Sequence, residues 1–138
     1  MSDTNISSSA IVKVAAGIII RNHAVIVCQR PATATYPFKW EFPGGKLESG
    51  ETSAQCLERE LFEELSIHCT AGTILHIQQW DYQSAGNFEV IFHRVENFSG
   101  TIKTNVHHSY RWVEKDELLR VDLLEGNKVV IPKIMELL

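Results

Sequence analysis

Three glutamates, Glu60, Glu63 and Glu64, occur at the spacing of one helix face. Successive residues of an α-helix turn by about 100°, so a helix here places all three carboxylates together. Carboxylates held this close repel one another, and a divalent cation removes that repulsion. Mg²⁺ prefers oxygen ligands and keeps coordinated waters, which leaves positions open for phosphate oxygens. The spacing therefore predicts a magnesium site, although a solvated acidic helix face has the same pattern.

The residues around these glutamates favour the metal site. Arg59 lies four residues before the second glutamate and can orient its carboxylate. The adjacent glycines Gly44 and Gly45 allow the backbone to approach a metal or a phosphate closely. Lys46 adds a cation, and the carboxylate of Glu51 stands at the entrance of the helix, where it also suits the helix dipole.

The elements that position these residues follow from the hydrophobic pattern. Residues 52–65 predict a helix with Thr52 or Ser53 at its start and an apolar stripe of Ala54, Leu57, Leu61 and Leu65. Residues 11–21 and 24–30 predict a hairpin with a turn at Asn22 and His23. Residues 43–45 predict a break in the backbone. Further predicted strands are 40–42, 74–82, 88–97 and 110–113, with a connection at 84–87, a helical turn at 115–120 and a closing helix at 127–138.

The pattern predicts an α+β fold, with a mixed sheet and helices on its faces. The chain has 138 residues, which fits one domain over residues 11–138 after a loose polar tail at residues 1–10. A net charge of −4 argues against binding of a nucleic-acid polymer. No apolar run is long enough to span a bilayer, and three widely spaced cysteines favour a reducing cytoplasm.

The segment from Gly45 to Ile67 resembles the Nudix pattern G-x5-E-x7-R-E-U-x-E-E-x-G-U, in which U is an aliphatic residue. The matching positions are Gly45, Glu51, Arg59, Glu60, Leu61, Glu63, Glu64 and Ile67. The one departure is Ser66 in place of the last glycine. A left-handed serine after the helix would cost on the order of 1 kcal/mol. The preceding segment KWEFPGGKLE is similar to the MutT branch of this family, which hydrolyses nucleoside triphosphates.

The resemblance implies a Nudix fold, with a loop-helix-loop motif and a mixed sheet between helices. It also implies Mg²⁺-dependent hydrolysis of a nucleoside triphosphate to a monophosphate and pyrophosphate, with Mn²⁺ as a substitute metal. The expected substrate is 8-oxo-dGTP, with CTP or dCTP as the alternative; a nucleotide-sensing domain without activity is the alternative from another class. The enzyme is expected to be a monomer or a homodimer.

The resemblance also assigns expected roles to individual residues. The expected metal ligands are the Gly45 carbonyl, Glu60, Glu63 and Glu64, and Glu60 is the first choice of general base. Arg59 is expected to orient the carboxylates and Glu51 to support the site. Arg30 and Lys46 are expected to contact phosphates, and Asn127 is expected to bind the base. Arg30 at the end of a strand in water and Asn127 as a helix N-cap are the structural alternatives. Trp40, Phe42, Trp80 and Phe88 are expected in the core, with Trp80 or Phe88 as candidates for the wall of a base pocket.

A second departure concerns the loop before the last strand. MutT-like proteins often carry a metal-binding glutamate about six residues before a late tryptophan, and here that position is Val106. His107 and His108 are the neighbouring candidates for its role, against the alternative of surface histidines. Without them, the general base would come from the motif itself.

Overall fold

A computed structural model describes residues 10–83 and 86–138. The predicted tail lies outside the described residues except for Ala10, and so do residues 84 and 85 of the predicted connection at 84–87. The limits of the predicted domain therefore stay a prediction.

Eight strands and four helices are found in the described ranges. The strands are β1 (Val12–Ile18), β2 (Ile20–Arg21), β3 (Ala24–Gln29), β4 (Trp40–Glu41), β5 (Gly44–Lys46), β6 (His68–Asp81), β7 (Asn87–Ser99) and β8 (Ser109–Glu114). The helices are α1 (Ser53–Leu65), α2 (Lys115–Leu118), α3 (Glu125–Lys128) and α4 (Ile131–Leu137). The predicted strands at 40–42, 88–97 and 110–113 and the turn at 115–120 are confirmed to within a few residues.

One sheet is mixed, as predicted, and has the strand order β5-β1-β7-β6. Strand β1 runs parallel to β7, whereas the β1–β5 and β6–β7 pairs are antiparallel. The second sheet is built on β3, which pairs with β2, β4 and β8 in antiparallel fashion.

Two predicted strands have wrong boundaries, and one predicted break is part of a strand. Residues 11–21 form two strands, because β1 pairs in the mixed sheet while β2 turns into the second sheet. Strand β6 starts at His68 rather than at residue 74, and its first part pairs with the end of β7 through several register shifts. Residues 44–46 are not only a break: they form β5, because glycine lets the backbone at Gly44 lie against Ala15 where a Cβ would overlap the carbonyl.

Helices cover both faces of the mixed sheet, which confirms the predicted α+β layering. Adjacent residues of β1 point to opposite faces, as a strand requires. Ala15 belongs to the core with Leu61 of α1, whereas Ala16 belongs to the core with Phe92 and Ile134 of α4. The sheet thus anchors α1 by its buried leucines and leaves another face of that helix available.

Helix α1 begins and ends as the sequence indicates. Thr52 is the N-cap: its hydroxyl accepts from the Gln55 N–H at 3.1 Å, and the Gln55 side chain accepts from the Thr52 N–H at 3.0 Å. Ser66 ends the helix in the left-handed conformation at φ 60°. Its hydroxyl accepts a hydrogen bond of 2.9 Å from the Asn105 side chain, which offsets part of the conformational strain.

The loop before β8 is docked on the last turn of α1. Asn105 donates from its backbone to the Glu64 carbonyl at 3.0 Å and from its side chain to the Glu63 carbonyl at 2.9 Å. Lys103 donates to the Leu65 carbonyl at 2.9 Å. These bonds satisfy carbonyls that a helix end leaves without partners, so the loop and the glutamate-bearing turn are held together.

The predicted closing helix at 127–138 is wrong in its extent. Two short helices, α3 and α4, replace it, and Pro132 lies in the first turn of α4. A proline has no N–H and is accommodated in a first turn, so a new helix begins there. Asn127 consequently lies inside α3, whose N-cap is Leu124.

Candidate functional site

A cavity of about 480 Å³ opens beside β5 and the C-terminal half of α1. Five of the predicted site residues line it: Arg30, Gly45, Lys46, Glu64 and Asn127. The other four, Glu51, Arg59, Glu60 and Glu63, lie next to this wall and are linked to it through Arg59. The structure therefore brings the predicted residues to one region.

Arg59 is the centre of the acidic cluster. Its guanidinium donates to both carboxylate oxygens of Glu51, at 2.6 and 3.0 Å, to Glu60 at 2.9 Å and to Glu63 at 3.1 Å. A further bond of 3.2 Å reaches the Lys46 carbonyl. These contacts occupy the whole donor fork of the guanidinium, so one arginine sets the positions of three glutamates.

The hydrogen bonds of Arg59 also set the charge of Glu51. They hold the pKa of the Glu51 carboxyl at about 2, well below its ordinary value, with help from the Glu48 N–H. The same bonds raise the pKa of Arg59. This pair is therefore ionised at neutral pH.

Glu64 is in the opposite situation. Burial raises its pKa to about 9, and the charges of Glu60 and Glu41 together with a hydrogen bond to Glu60 act in the same direction. The Gly44 N–H, at 3.4 Å from Oε1, opposes the shift only weakly. Glu64 thus carries a proton at neutral pH in the metal-free protein, at a point where like charges are crowded.

This crowding fits a divalent cation with oxygen ligands. Gly45 presses its backbone against the Glu60 carboxylate, where any Cβ would overlap the side chain. The proton on Glu64, which is hydrogen-bonded to Glu60, relieves part of the charge repulsion, and a cation would relieve more of it. Within residues 10–83 and 86–138, however, no three His, Cys, Asp or Glu side chains are already arranged to hold an ion.

Arg30 is held in place on the cavity wall. Its Nε donates to the Thr35 carbonyl at 2.7 Å, Nη2 to the Thr35 hydroxyl at 2.8 Å and Nη1 to Glu41 at 2.9 Å. Only 20% of the side chain is exposed, so the alternative of a strand-end arginine in water is wrong. A guanidinium has five N–H groups, and two remain for a ligand.

The sequence did not point to Glu41, and the alternative of a surface residue for His107 is wrong, because His107 is buried. One oxygen of Glu41 accepts from Arg30 and the other pairs with His107 Nε2 at 2.9 Å. Val106, in contrast, is 55% exposed at the cavity. His108 packs edge-on against Phe38, with ring centroids 5.4 Å apart. Side chains alternate in direction along a strand, so in residues 40–42 a buried Phe42 implies that Glu41 points away from the core. This was the signal in the sequence that could have identified Glu41.

Asn127 is buried, and its side chain is not a helix cap. Its Oδ1 accepts from the Phe42 N–H at 2.8 Å, across 85 residues of sequence, and only 7% of the residue is exposed. The N-cap alternative is therefore wrong. Among the described residues the amide Nδ2 has no hydrogen-bond partner, and it is the donor that Asn127 offers at the cavity.

Aromatic residues form the part of the cavity near Asn127. Tyr36 and Tyr82 lie 5.5 Å apart between ring centroids, and Tyr82 meets Phe88 edge-on at 5.9 Å. The Tyr36 hydroxyl donates to the Tyr82 carbonyl at 3.1 Å. Of the two predicted candidates, Phe88 lines the cavity; Trp80 packs behind it against Gly126.

None of the helices within the described ranges combines the length and the hydropathy that crossing a bilayer requires.

Comparisons with known proteins give consistent matches. The NUDIX domain model matches residues 12–134. A CTP pyrophosphohydrolase of Escherichia coli is 32% identical over 138 residues, covering 91% of this chain and 93% of the relative. An 8-oxo-dGTP diphosphatase of Haemophilus influenzae is 34% identical over 127 residues, covering 91% and 92%. The solution structure of the E. coli ORF135 protein superposes with a TM-score of 0.83 at 32% identity, over 95% of this chain and 93% of that one.

Proposed function

The chain belongs to the Nudix family of hydrolases, and from this premise we propose that it hydrolyses a nucleoside triphosphate to a nucleoside monophosphate and pyrophosphate. One observation supports this most: a single cavity has Arg30, Lys46 and Glu64 on one side and Asn127 with aromatic rings on the other. The first side suits a phosphate chain and the second a base. Hydrolases of this family generally use a divalent metal ion; we propose Mg²⁺ here, with Mn²⁺ as a substitute.

The metal would be held by Glu60, Glu63, Glu64 and the Gly45 carbonyl. When bound, it supplies neutralisation of the phosphate charge and a lower pKa for a coordinated water. Binding would require Glu64 to lose its proton, whereas Glu60 and Glu63 each have one oxygen that Arg59 does not contact. Arg59 is held by Glu51 and in turn holds one oxygen of Glu60 and one oxygen of Glu63.

The chain's own residues carry the reaction. Lys46 and Arg30 orient the phosphates, Arg30 with its two remaining N–H groups. Glu60 accepts a proton as the water oxygen bonds to phosphorus. The bond from that phosphorus to the bridging oxygen breaks, and pyrophosphate leaves. Because Val106 has no carboxylate, the base in this proposal belongs to the motif.

For the base, we propose an oxidised purine such as 8-oxo-dGTP, with CTP or dCTP as the second choice. Relatives named for each of these activities are similar over most of the chain. With Oδ1 occupied by Phe42, Asn127 presents an N–H donor. A donor can pair with a carbonyl oxygen, which guanine and cytosine carry and adenine lacks.

A nucleotide panel assayed for pyrophosphate release with Mg²⁺ tests this proposal. We expect turnover of 8-oxo-dGTP or a cytidine triphosphate in preference to ATP. Binding of all these nucleotides without turnover would overturn the proposal and indicate a sensor domain.

Asn127→Asp is the sharper test of base reading. An aspartate keeps the acceptor for the Phe42 N–H and removes the amide donor. Because the position is buried, circular dichroism must show that the fold tolerates the carboxyl group. Loss of a donor to a buried base edge is worth about 1–3 kcal/mol, roughly 5- to 150-fold in kcat/KM for the preferred base. An unchanged ratio between preferred and poor nucleotides would show that other residues read the base.

We further propose that the enzyme acts on free nucleotides in the cytoplasm as a monomer or a homodimer, without a membrane or a nucleic-acid polymer. The net charge of −4 supports the last point. Light scattering at working concentration, with and without added duplex DNA, checks both the assembly and the absence of binding.

A further inference from the structure

His107 is a buried histidine in the loop that lacks the family's glutamate. Its side chain is 3% exposed, and Nε2 lies 2.9 Å from Oε2 of Glu41. Since a carboxylate oxygen accepts, Nε2 carries the proton whether the ring is neutral or charged. Nδ1 is buried and has no partner among the described residues.

Glu41 connects His107 to Arg30, which lies on the cavity wall. Its other oxygen accepts from Arg30 Nη1 at 2.9 Å, so the carboxylate is held from both sides. Thr35 holds the rest of the guanidinium at Nε and Nη2. The two N–H groups left on Arg30 are therefore fixed in direction by Glu41 and Thr35 together.

The loop that supplies His107 is itself rigidly placed. The His108 N–H donates to the Gln29 carbonyl at 2.8 Å, beside the point where Arg30 leaves β3. Asn105 ties the other part of the loop to the last turn of α1. His107 therefore approaches Glu41 from a segment that is anchored both to β3 and to the helix bearing the motif glutamates.

We propose that His107 is a positioning residue that, through Glu41, fixes the Arg30 guanidinium in the orientation that binds the substrate's phosphates. The role rests on the proposed function, because it assumes that Arg30 contacts phosphate. Without His107, the Glu41 carboxylate can rotate away from Nη1, and Arg30 is then held only by its two hydrogen bonds to Thr35. The expected defect is weaker binding of the triphosphate rather than a slower chemical step.

The kinetic test compares His107→Leu, His107→Gln and the neighbouring control His108→Leu at saturating Mg²⁺. His107→Leu should raise KM about tenfold or more and leave kcat within about threefold. Glutamine places an amide N–H near the position of Nε2, so His107→Gln should recover most of the loss. His108→Leu should retain the wild-type KM. A lower kcat at unchanged KM, or no rescue by glutamine, would overturn the proposal.

A double mutant separates positioning from packing. If His107 acts through Glu41, adding His107→Leu to Glu41→Gln should change KM by less than about twofold, because residues in one chain of contacts are not additive. Full multiplication of the two single effects would mean that His107 acts by another route, and would contradict the proposal.

A measurement without nucleotide keeps this inference distinct from the proposed function. In ¹⁵N-resolved NMR of the wild-type protein, His107 should carry a proton on Nε2 that is protected from exchange, and Glu41→Gln should shift its resonance. Absence of that proton would overturn the inference even if the enzyme is active. If no nucleotide in the panel is hydrolysed, the proposed function fails while the NMR result still decides the His107–Glu41 contact.

Discussion

At the level of single residues, Arg59 and Glu64 prepare the acidic site in opposite ways. Arg59 donates hydrogen bonds to Glu51, Glu60 and Glu63, so its one positive charge offsets part of the repulsion between these side chains. Glu64 has no cation of this kind among its described contacts, and its pKa rises to about 9 through burial and the neighbouring charges. The proton on Glu64 thus leaves the site one negative charge below its full charge, and a divalent ion would displace that proton.

The first prediction concerns Glu63→Gln. Glutamine keeps the shape of a proposed metal ligand and removes its charge, so kcat should fall by about 10² or more. The fold should survive, since Glu63 is exposed and its loss relieves repulsion on α1. Steady-state kinetics with circular dichroism checks both points. Glu58→Gln on the same helix is the matched control, and a folded Glu63→Gln enzyme with near wild-type kcat would rule this ligand out.

The second prediction concerns Val106. Its side chain is exposed at the cavity and has no group that binds metal or takes a proton. Val106→Ala should therefore keep kcat within a few-fold of the wild type, as measured by pyrophosphate release. A loss as large as that of Glu63→Gln would mean that this position has a catalytic role that the account lacks.

At the level of elements, the sequence predicted those that depend on local chemistry. The apolar stripe, the N-terminal cap and the left-handed C-terminal residue of helix α1 all lie within one short segment of sequence. The turn at Asn22 and His23 likewise depends only on its own two residues, which adopt the left-handed conformation that such a turn needs. Strand β5 was missed because two glycines read as a break, whereas their pairing with β1 depends on a partner 30 residues away.

The third prediction concerns the end of α1 and uses two substitutions at Ser66. Ser66→Ala keeps the left-handed strain and loses the bond to Asn105, so the free energy of unfolding should fall by about 1 kcal/mol. Ser66→Gly loses the same bond but relieves the strain, so it should change stability by less than about 0.5 kcal/mol. Urea unfolding of both proteins measures the difference. Equal destabilisation by the two would show that Ser66 is not strained.

At the level of the whole molecule, the site depends on contacts that local patterns cannot predict. Glu41 meets His107 across 66 residues and Asn127 meets Phe42 across 85. The sequence identified Asn127 only through family resemblance and assigned it a helix position that the structure corrects. The periodicity of apolar residues predicts which face of a helix or strand is buried. It does not predict which buried faces pack against each other, because that depends on how the strands pair in the two sheets.

The fourth prediction links Glu64 to the stability of the whole metal-free molecule. Its pKa is about 9 in the folded state and near 4.5 when unfolded. The folded state therefore binds more protons, and this group's contribution to stability falls as pH rises from about 4.5 to 9. Glutamine at position 64 does not titrate. In the presence of a chelator, the Tm of Glu64→Gln minus the Tm of the wild type should therefore increase as pH rises through this range. A constant difference in Tm between pH 5 and 9 would contradict the shift.

Identification of the products is the most direct test of the central claim. Wild-type protein is incubated with 8-oxo-dGTP or CTP, with Mg²⁺ or with EDTA, and the products are resolved by ³¹P NMR. The account predicts equal amounts of pyrophosphate and nucleoside monophosphate from at least one of these substrates, no turnover in EDTA, and recovery with Mg²⁺ or Mn²⁺. Release of orthophosphate with a nucleoside diphosphate, full turnover in chelator, or no turnover of either nucleotide would contradict it.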